Sequence, residues 1–247
     1  MLIYGINPVL EALRAGRVTE IRVSPRADDR LTAVVRGAEE QGIAVRRVSA
    51  GELDRAARGG VHQGIVADVR EAESSSVEDL VIQAADVPLI VVLDGIEDPH
   101  NLGAILRTVD AAGADGVVRQ SRRAAPLGGA AAKASAGAVT HVRVAEVVNI
   151  ARALEHLKAV GVWTVGLASD AKTSYDEIDL TLPTAFVVGA EGAGLRRLVR
   201  ERCDWLASIP LRGHVQSLNV SVATGIALFE AVRQRRKSAQ KTTSAGT

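Results

Sequence analysis

From residue 88 onward, short runs of Val, Ile and Leu alternate with longer helical patterns, and this alternation most constrains the fold. Strand-like runs are predicted at 89–93, 116–118, 139–144, 162–166, 185–189 and 206–209. Helical patterns fall between most of them, at 102–112, 147–160, 195–202 and 220–235. Continuous apolar strands separated by helices are typical of a parallel sheet covered on both faces. The sequence therefore predicts an α/β domain over residues 88–235.

A smaller α/β unit is predicted before this domain, over residues 1–70. Its strand patterns lie at 18–23, 43–48 and 65–69, and its helical patterns at 6–15, 31–40 and 49–57. Residues 71–87 begin acidic and Ser-rich and then become helix-like, which indicates a linker with room for one short helix. The polar, basic segment 236–247 lacks an apolar pattern and is predicted to be disordered.

Composition excludes several classes of function. A formal net charge of +1 gives no overall attraction for nucleic acid, so any basic surface must be local. Cys203 is the only cysteine, which excludes an intrachain disulfide and a cysteine metal site, and the five histidines lack metal-ligand spacing. We expect no metal. Without a signal pattern or an apolar run long enough to span a membrane, a soluble, cytoplasmic protein is expected.

Polar residues follow the predicted strand at 89–93, where a parallel sheet would bind a ligand. The segment continues through Asp94 and Asp98 into a helix expected to begin near Asn101, with Arg107 two turns in. Asn101 and Arg107 are candidate site residues. The alternative is that Asn101 caps the helix and Arg107 is a solvated charge.

A glycine-rich turn follows the strand at 185–189, with Gly189, Gly192 and Gly194 in G-x-x-G-x-G spacing. This spacing is neither the dinucleotide fingerprint nor the P-loop. Glu191 inside the turn would repel a pyrophosphate, so a nicotinamide-dependent oxidoreductase is disfavoured. A ligand with donors or positive charge, such as S-adenosylmethionine, fits better. A glutamate that merely favours a helix start is the alternative.

The third loop follows the strand at 206–209 and leads into the last helix through Ser217, Leu218 and Asn219. Ile209 and Leu218 could offer backbone polar groups and apolar walls to an adenine, while Ser217 and Asn219 could orient substrate. A well-capped helix is an equally good interpretation of this stretch alone.

Together, N-L-G-A-I-L-R-T, V-V-G-A-E-G-A-G and I-P-L…S-L-N-V-S-V-A-T-G-I-A-L-F-E-A resemble the three motifs of SPOUT-class RNA ribose 2′-O-methyltransferases of the TrmH/RlmB type. The resemblance covers about residues 88–235. Residues 1–70, through Gly5-Ile6-Asn7-Pro8-Val9 and Val61-His62-Gln63-Gly64, more weakly resemble the family's L30e-like RNA-binding domain.

The resemblance implies a deep trefoil knot, a homodimer and bound S-adenosylmethionine. It places the cofactor at Gly189, Ile209 and Leu218, and catalysis at Asn101, Arg107, Glu191, Ser217 and Asn219. The reaction would move a methyl group from a sulfonium to a ribose hydroxyl, so positioning supplies much of the rate. The family makes Arg107 the base. Because a free guanidine keeps its proton at neutral pH, stabilisation of the developing alkoxide is an alternative role.

The RNA substrate follows from the same resemblance. The loop 119–127 matches the family pattern, and its arginines are candidate phosphate ligands or simply solvated charges. The N-terminal domain favours a guanosine of large-subunit (23S) ribosomal RNA. A transfer-RNA ribose methylase, an antibiotic-resistance methylase of ribosomal RNA and a non-catalytic RNA-binding assembly factor remain alternatives.

Overall fold

The computed structural model describes residues 1–25, 28–71 and 75–245, and the chain divides into two compact units. The first unit groups Met1–Glu73 with Asp98–Arg107 and Ala125–His141. The second groups Ser74–Glu97 and Thr108–Ala124 with Val142–Thr247. Each unit is therefore built from segments that are not consecutive in sequence.

Strands and helices are numbered in chain order. The strands are β1 (Leu2–Tyr4), β2 (Val18–Val23), β3 (Ala44–Arg47), β4 (Ile65–Val69), β5 (Leu89–Asp94), β6 (Gly116–Gln120), β7 (Val144–Val147), β8 (Trp163–Leu167), β9 (Thr173–Ser174), β10 (Thr184–Gly189) and β11 (Trp205–Ser208). The helices are α1 (Ile6–Arg14), α2 (Asp29–Glu40), α3 (Ala50–Ala56), α4 (Val77–Ile82), α5 (Pro99–Ala112), α6 (Gly129–Ala134), α7 (Ile150–Ala159), α8 (Arg197–Arg202) and α9 (Val220–Ala245).

In the first unit, the described residues form a sheet of order β1-β4-β2-β3, with β4 antiparallel to both neighbours and β3 parallel to β2. Side-chain caps start two of its helices: Asp28 accepts from the Leu31 N–H and Ser49 accepts from the Glu52 N–H. Such caps satisfy N–H groups that a helix leaves unpaired at its start. The predicted α/β character of residues 1–70 is confirmed.

In the second unit, the described residues form a sheet of order β7-β6-β5-β10-β8-β11-β9, and every recorded pairing is parallel. Every residue of β5 is buried, as expected of a central strand covered on both faces. Ile90, Val92, Ala185 and Val187 share a core with α4, α7 and α8, and α9 packs against β10. The predicted parallel α/β sheet is thus confirmed.

The prediction of a strand at 139–144 is wrong. A 3₁₀ turn occupies Ala138–Thr140, and β7 begins only at Val144. Gly137 has a φ of 98°, and the Thr140 hydroxyl donates to its carbonyl at 2.7 Å. A β-branched run therefore forms a turn because side-chain hydrogen bonds stabilise it locally.

The prediction of a disordered segment at 236–247 is also wrong for its helical part, since α9 continues to Ala245. Ala, Gln, Lys and Arg favour helix, and extending an existing helix costs much less than nucleating one. Residues 246 and 247 lie outside the described residues. The short helix expected in the linker is α4, while residues 72–74 of that linker also lie outside them. No helix in the described part of the chain is long and apolar enough to cross a membrane.

Candidate functional site

A cavity of about 300 Å³ lies in the second unit, at the carboxyl ends of β8, β10 and β11. Its wall is formed by stretches within 167–170, 188–195, 207–211 and 217–223, together with Arg200. Parallel strands end at one edge of a sheet, so the loops after them converge there. The second and third predicted loops therefore meet at one cavity. The stretch 167–170 also lines it, although no local sequence pattern indicated that role.

Five of the predicted site residues lie in this wall: Gly189, Glu191, Ile209, Ser217 and Leu218. Asn219 is the neighbour of Leu218, and its side-chain oxygen accepts from the Ser221 N–H at 2.9 Å and from the Ser221 hydroxyl at 2.6 Å. Its backbone carbonyl accepts from the Ala223 N–H at 3.0 Å. Asn219 therefore caps α9 and fixes how the third loop enters that helix.

The glycine-rich turn folds tightly back on β10. The Gly194 N–H donates to the Ala190 carbonyl at 2.8 Å, which closes the turn around the exposed Glu191. A Cβ on Gly189 would overlap the Gly194 carbonyl and the Leu195 nitrogen, because these lie within 3.0 Å of its position. Gly194 itself has a φ of 65°, a conformation that glycine adopts without strain. Glycine at 189 is therefore required by close backbone approach.

Glu191 lies in this turn rather than at a helix start, since α8 begins only at Arg197. The alternative in which Glu191 serves the dipole of α8 is therefore wrong. A second acidic residue, Asp170, also belongs to the cavity wall. The negative charge of Glu191 in the wall disfavours a polyphosphate ligand.

Asp170 forms an ion pair with Arg200, another residue of the wall. The Arg200 guanidinium donates to both carboxylate oxygens, at 2.8 and 3.0 Å. These hydrogen bonds hold the pKa of Asp170 below its usual range and raise the pKa of Arg200. The cavity wall thus carries a fixed pair of opposite charges beside the glycine-rich turn.

Asp94, the last residue of β5, contacts Arg196 just after the glycine-rich turn. Its carboxylate is buried and accepts the Arg196 backbone N–H at 2.8 Å and the Arg196 Nε at 2.6 Å, and it also pairs with Arg196 Nη2. Gly189 is the partner of Asp94 in the pairing of β5 with β10. Sequence reasoning missed this pair, because the two residues are 102 positions apart.

Asn101 and Arg107 lie on α5, in the first unit. The helix begins at Pro99, with the Asp98 carboxylate accepting the N–H groups of His100 at 3.0 Å and Asn101 at 3.2 Å. Asp98 therefore caps α5, and the alternative that assigned the cap to Asn101 is wrong. Asn101 is buried and Arg107 is exposed. Six residues apart, they are offset by about 120° around the helix axis.

Gly103 fixes the position of this part of α5 within the first unit. A Cβ on Gly103 would lie 2.5 Å from the Ala131 carbonyl oxygen and 2.5 Å from the Ala134 Cβ, both on α6. The two helices therefore approach as closely as their backbones permit. The glycine of N-L-G-A thus serves helix packing.

The arginines of the loop 119–127 differ in their surroundings. Arg119 is buried, and its Nε lies 3.5 Å from the Glu146 carboxylate. Burial lowers the pKa of Arg119, while Glu146 acts in the opposite direction. Arg122 and Arg123 are exposed. Arg119 therefore has a structural role. Arg122 and Arg123 remain the candidate phosphate ligands of this loop.

The fold and the cavity define an α/β protein that binds a small molecule beyond the carboxyl ends of parallel strands. The sequence model of the SpoU rRNA Methylase family matches residues 88–229, and the model described as RNA 2′-O ribose methyltransferase substrate binding matches residues 2–75. The chain belongs to the SpoU methylase family.

Individual relatives agree with this assignment over nearly the whole chain. It is 48% identical to the 23S rRNA (guanosine-2′-O-)-methyltransferase RlmB of a Burkholderia species, over 96% of this chain and 97% of the relative. It is 44% identical to RlmB of Escherichia coli (strain K12), over 95% and 98%. The AdoMet-bound rRNA methyltransferase of Sinorhizobium meliloti has a TM-score of 0.77 and 29% identity, over 94% of this chain and 86% of that chain.

Proposed function

We propose that this protein transfers a methyl group from S-adenosylmethionine to the ribose 2′-hydroxyl of a guanosine in 23S ribosomal RNA. The observation that carries the proposal is the convergence of the family's glycine-rich and Ser-Leu-Asn loops on one cavity at the sheet edge. Relatives 44% and 48% identical over nearly the full chain carry this activity in their names.

The residues of the cavity fit the proposed cofactor. Ile209, Leu211 and Leu218 supply apolar walls for an adenine ring. Glu191 supplies negative charge, which suits a ligand with a sulfonium and an ammonium and opposes one with phosphates, while the charge of Asp170 is offset by its ion pair with Arg200. The close approach of Gly189 to Gly194 leaves backbone rather than side chain at that wall.

When bound, S-adenosylmethionine supplies an electrophilic methyl group. The protein's own part is to bring a ribose hydroxyl into line with it and to stabilise the charge that develops on the oxygen. We assign that stabilisation, or acceptance of the proton, to Arg107, and a further catalytic role to Asn101 of the same motif. Ser217, Asn219 and Glu191 orient the loops and the substrate. These roles come from the family pattern.

The first unit is proposed to bind the RNA through an L30e-like domain over residues 1–70, joined by the linker 71–87 to the methyltransferase domain 88–235. Its edge strand β3 presents exposed Arg46 and Arg47. Exposed arginines suit phosphate contacts. Ribosomal RNA as substrate agrees with action in the cytoplasm.

We further propose a homodimer and a trefoil knot, which the family resemblance implies. In support of the dimer, Val222 and Phe229 on α9 are each 50% exposed and lie seven residues apart, on one face of the helix. In support of the knot, the segments after β10 and β11 both reach one cavity. A crystal structure traced through residues 185–235 tests the threading.

Transfer of labelled methyl groups to ribosomal RNA tests the activity. The purified protein should methylate 23S RNA isolated from a strain that lacks this gene, at a single guanosine ribose, and should leave RNA from the parent strain unlabelled. If only transfer RNA became labelled, the proposed ribosomal substrate would be wrong and transfer RNA would take its place. RNA binding without any methyl transfer or cofactor binding would favour the assembly-factor alternative.

A further inference from the structure

A polar contact beside the cavity, between Asp94 and Arg196, has no role in the proposed reaction so far. From it we infer that Asp94 and Arg196 are positioning residues that hold the glycine-rich turn in its cofactor-binding shape. The inference rests on the proposed function, because it concerns the same cavity. Neither residue lines the described wall, and both would act through the turn between them.

The geometry places the pair at the base of the turn. β10 delivers the chain at Gly189, which is paired with Asp94. The chain passes through Glu191 and Gly194 and returns to Asp94 at Arg196. One carboxylate therefore ties the exit of the turn to the strand beside its entrance.

The contact is built to fix an orientation as well as a distance. Oδ2 accepts the Arg196 backbone N–H at 2.8 Å, and Oδ1 accepts Nε at 2.6 Å. The Asp94 side chain is 0% exposed, whereas that of Arg196 is 54% exposed. A charge-assisted contact to a fully buried carboxylate is stronger and better defined than a surface ion pair.

The tip of the turn is exposed and rich in glycine. Gly192, Ala193 and Gly194 are exposed, and one backbone hydrogen bond, from Gly194 to Ala190, closes the turn. Glycines give the unconstrained chain many conformations, so its bound shape must be maintained from its ends. The anchor at Arg196 supplies that constraint and lowers the ordering cost of binding.

The test compares Arg196→Ala and Arg196→Lys with a matched control, Arg197→Ala. Arg197 is the next residue, is exposed and pairs with Glu201 on its own helix. Titration of the full chain with S-adenosylmethionine should show affinity reduced about tenfold or more in Arg196→Ala, with an intermediate loss in Arg196→Lys. Arg197→Ala should bind within about twofold of the parent protein.

Two further measurements separate positioning from a general loss of structure. In Arg196→Ala, KM for the cofactor should rise, while kcat at saturating cofactor and KM for RNA change by less than about twofold. Amide hydrogen exchange should accelerate in residues 190–196 and stay unchanged in β5 and β10. If the unpaired carboxylate prevents Arg196→Ala from folding, the double variant Asp94→Asn with Arg196→Gln carries the same test without a buried charge.

The outcomes distinguish the two proposals. If the parent protein binds S-adenosylmethionine and Arg196→Ala binds it equally well, the positioning role is overturned and the proposed function stands. A fall in kcat with unchanged cofactor KM would also overturn it. If the parent protein itself binds no S-adenosylmethionine, both proposals fail together.

Discussion

The backbone of Gly194 occupies the space that a side chain on Gly189 would need. A Cβ there would lie within 3.0 Å of the Gly194 carbonyl and the Leu195 nitrogen, distances that real Cβ atoms essentially never show. Both neighbours are backbone atoms, so the clash cannot be relieved by a rotamer change. The turn itself would have to move, and with it one wall of the cavity.

Gly189→Ala should therefore weaken binding of S-adenosylmethionine by at least about tenfold, with a loss of stability of roughly 1–3 kcal/mol from overpacking. Isothermal titration and thermal melting measure the two effects. Gly213→Ala is the control, since a Cβ at Gly213 meets no atom within 4 Å. Unchanged affinity in Gly189→Ala would refute the assignment of this turn to the cofactor.

Arg107 is exposed on α5, so its removal should affect chemistry far more than folding. Arg107→Ala is expected to reduce kcat by about 10²–10³-fold, as for loss of one group that stabilises a developing oxyanion. Arg107→Lys keeps the positive charge but lacks the forked N–H donors of a guanidinium. Its kcat should therefore lie between those of the parent protein and Arg107→Ala. Methyl transfer to ribosomal RNA fragments is the assay, and Arg152→Ala, an exposed arginine of α7, is the control. Near-normal turnover in Arg107→Ala would remove Arg107 from the mechanism.

Arg235, within α9, ties that helix to the segments that precede β5 and β10. Its guanidinium donates to the carbonyls of Val87 at 2.5 Å and of Pro88, Leu180 and Leu182 at 3.0 Å each. Its guanidinium is partly buried, and this burial lowers its pKa from the usual value. Arg235→Ala should cost about 2–4 kcal/mol of unfolding free energy, because charge-assisted bonds are lost and carbonyls are left unpaired.

Urea denaturation measures this loss. Arg236→Ala changes the exposed neighbour on the same helix and should leave the midpoint unchanged. Equal midpoints for the two variants would show that the carbonyl contacts of Arg235 contribute nothing to stability.

The thiol of Cys203 should be unreactive in the folded protein. Burial is the main cause that raises its pKa to about 12, and its Sγ donates to the Val199 carbonyl at 3.3 Å. Iodoacetamide at pH 8.5 should therefore modify the native chain slowly and the urea-unfolded chain quickly, because only the thiolate reacts. Equal rates in the two states would contradict a partly buried, protonated thiol.

The raised pKa of Cys203 also predicts how its contribution to folding stability changes with pH. An unfolded cysteine loses its proton near pH 8.5, whereas the folded one keeps it to about pH 12. The unfolded state therefore binds fewer protons between these values, so the contribution of Cys203 to stability falls as pH rises through them. Cys203→Ala should therefore lose less of its unfolding free energy than the parent protein does as the pH rises through this range.

Phe229 tests the proposed homodimer. Phe229→Glu places a charge on the half-exposed apolar face that it shares with Val222, and sedimentation velocity should then show a shift toward monomer. Val160→Glu, a half-exposed apolar residue just after α7, is the control and should not change the oligomeric state. A parent protein that sediments as a monomer would overturn the dimer.

The elements of the fold were largely predictable because they follow from local patterns. The strands β2 and β4 were predicted with their observed ends, and α2, α5 and α7 within a few residues. Apolar period, helix caps and glycine breaks act over a few residues and can be read directly. The strand predicted at 139–144 was wrong because the Thr140 side chain hydrogen-bonds within a local turn, which the apolar pattern does not reveal.

The site was only partly predictable. The sequence by itself determined that the chain is α/β, and it marked the loops that carry Gly189 and Leu218. Only the tertiary structure decided that these loops share a wall with 167–170, that Gly103 packs on α6, and that Asp94 anchors Arg196 across 102 positions. The physical reason is that sheet order and close backbone approach depend on residues distant in sequence, and no local pattern contains that information.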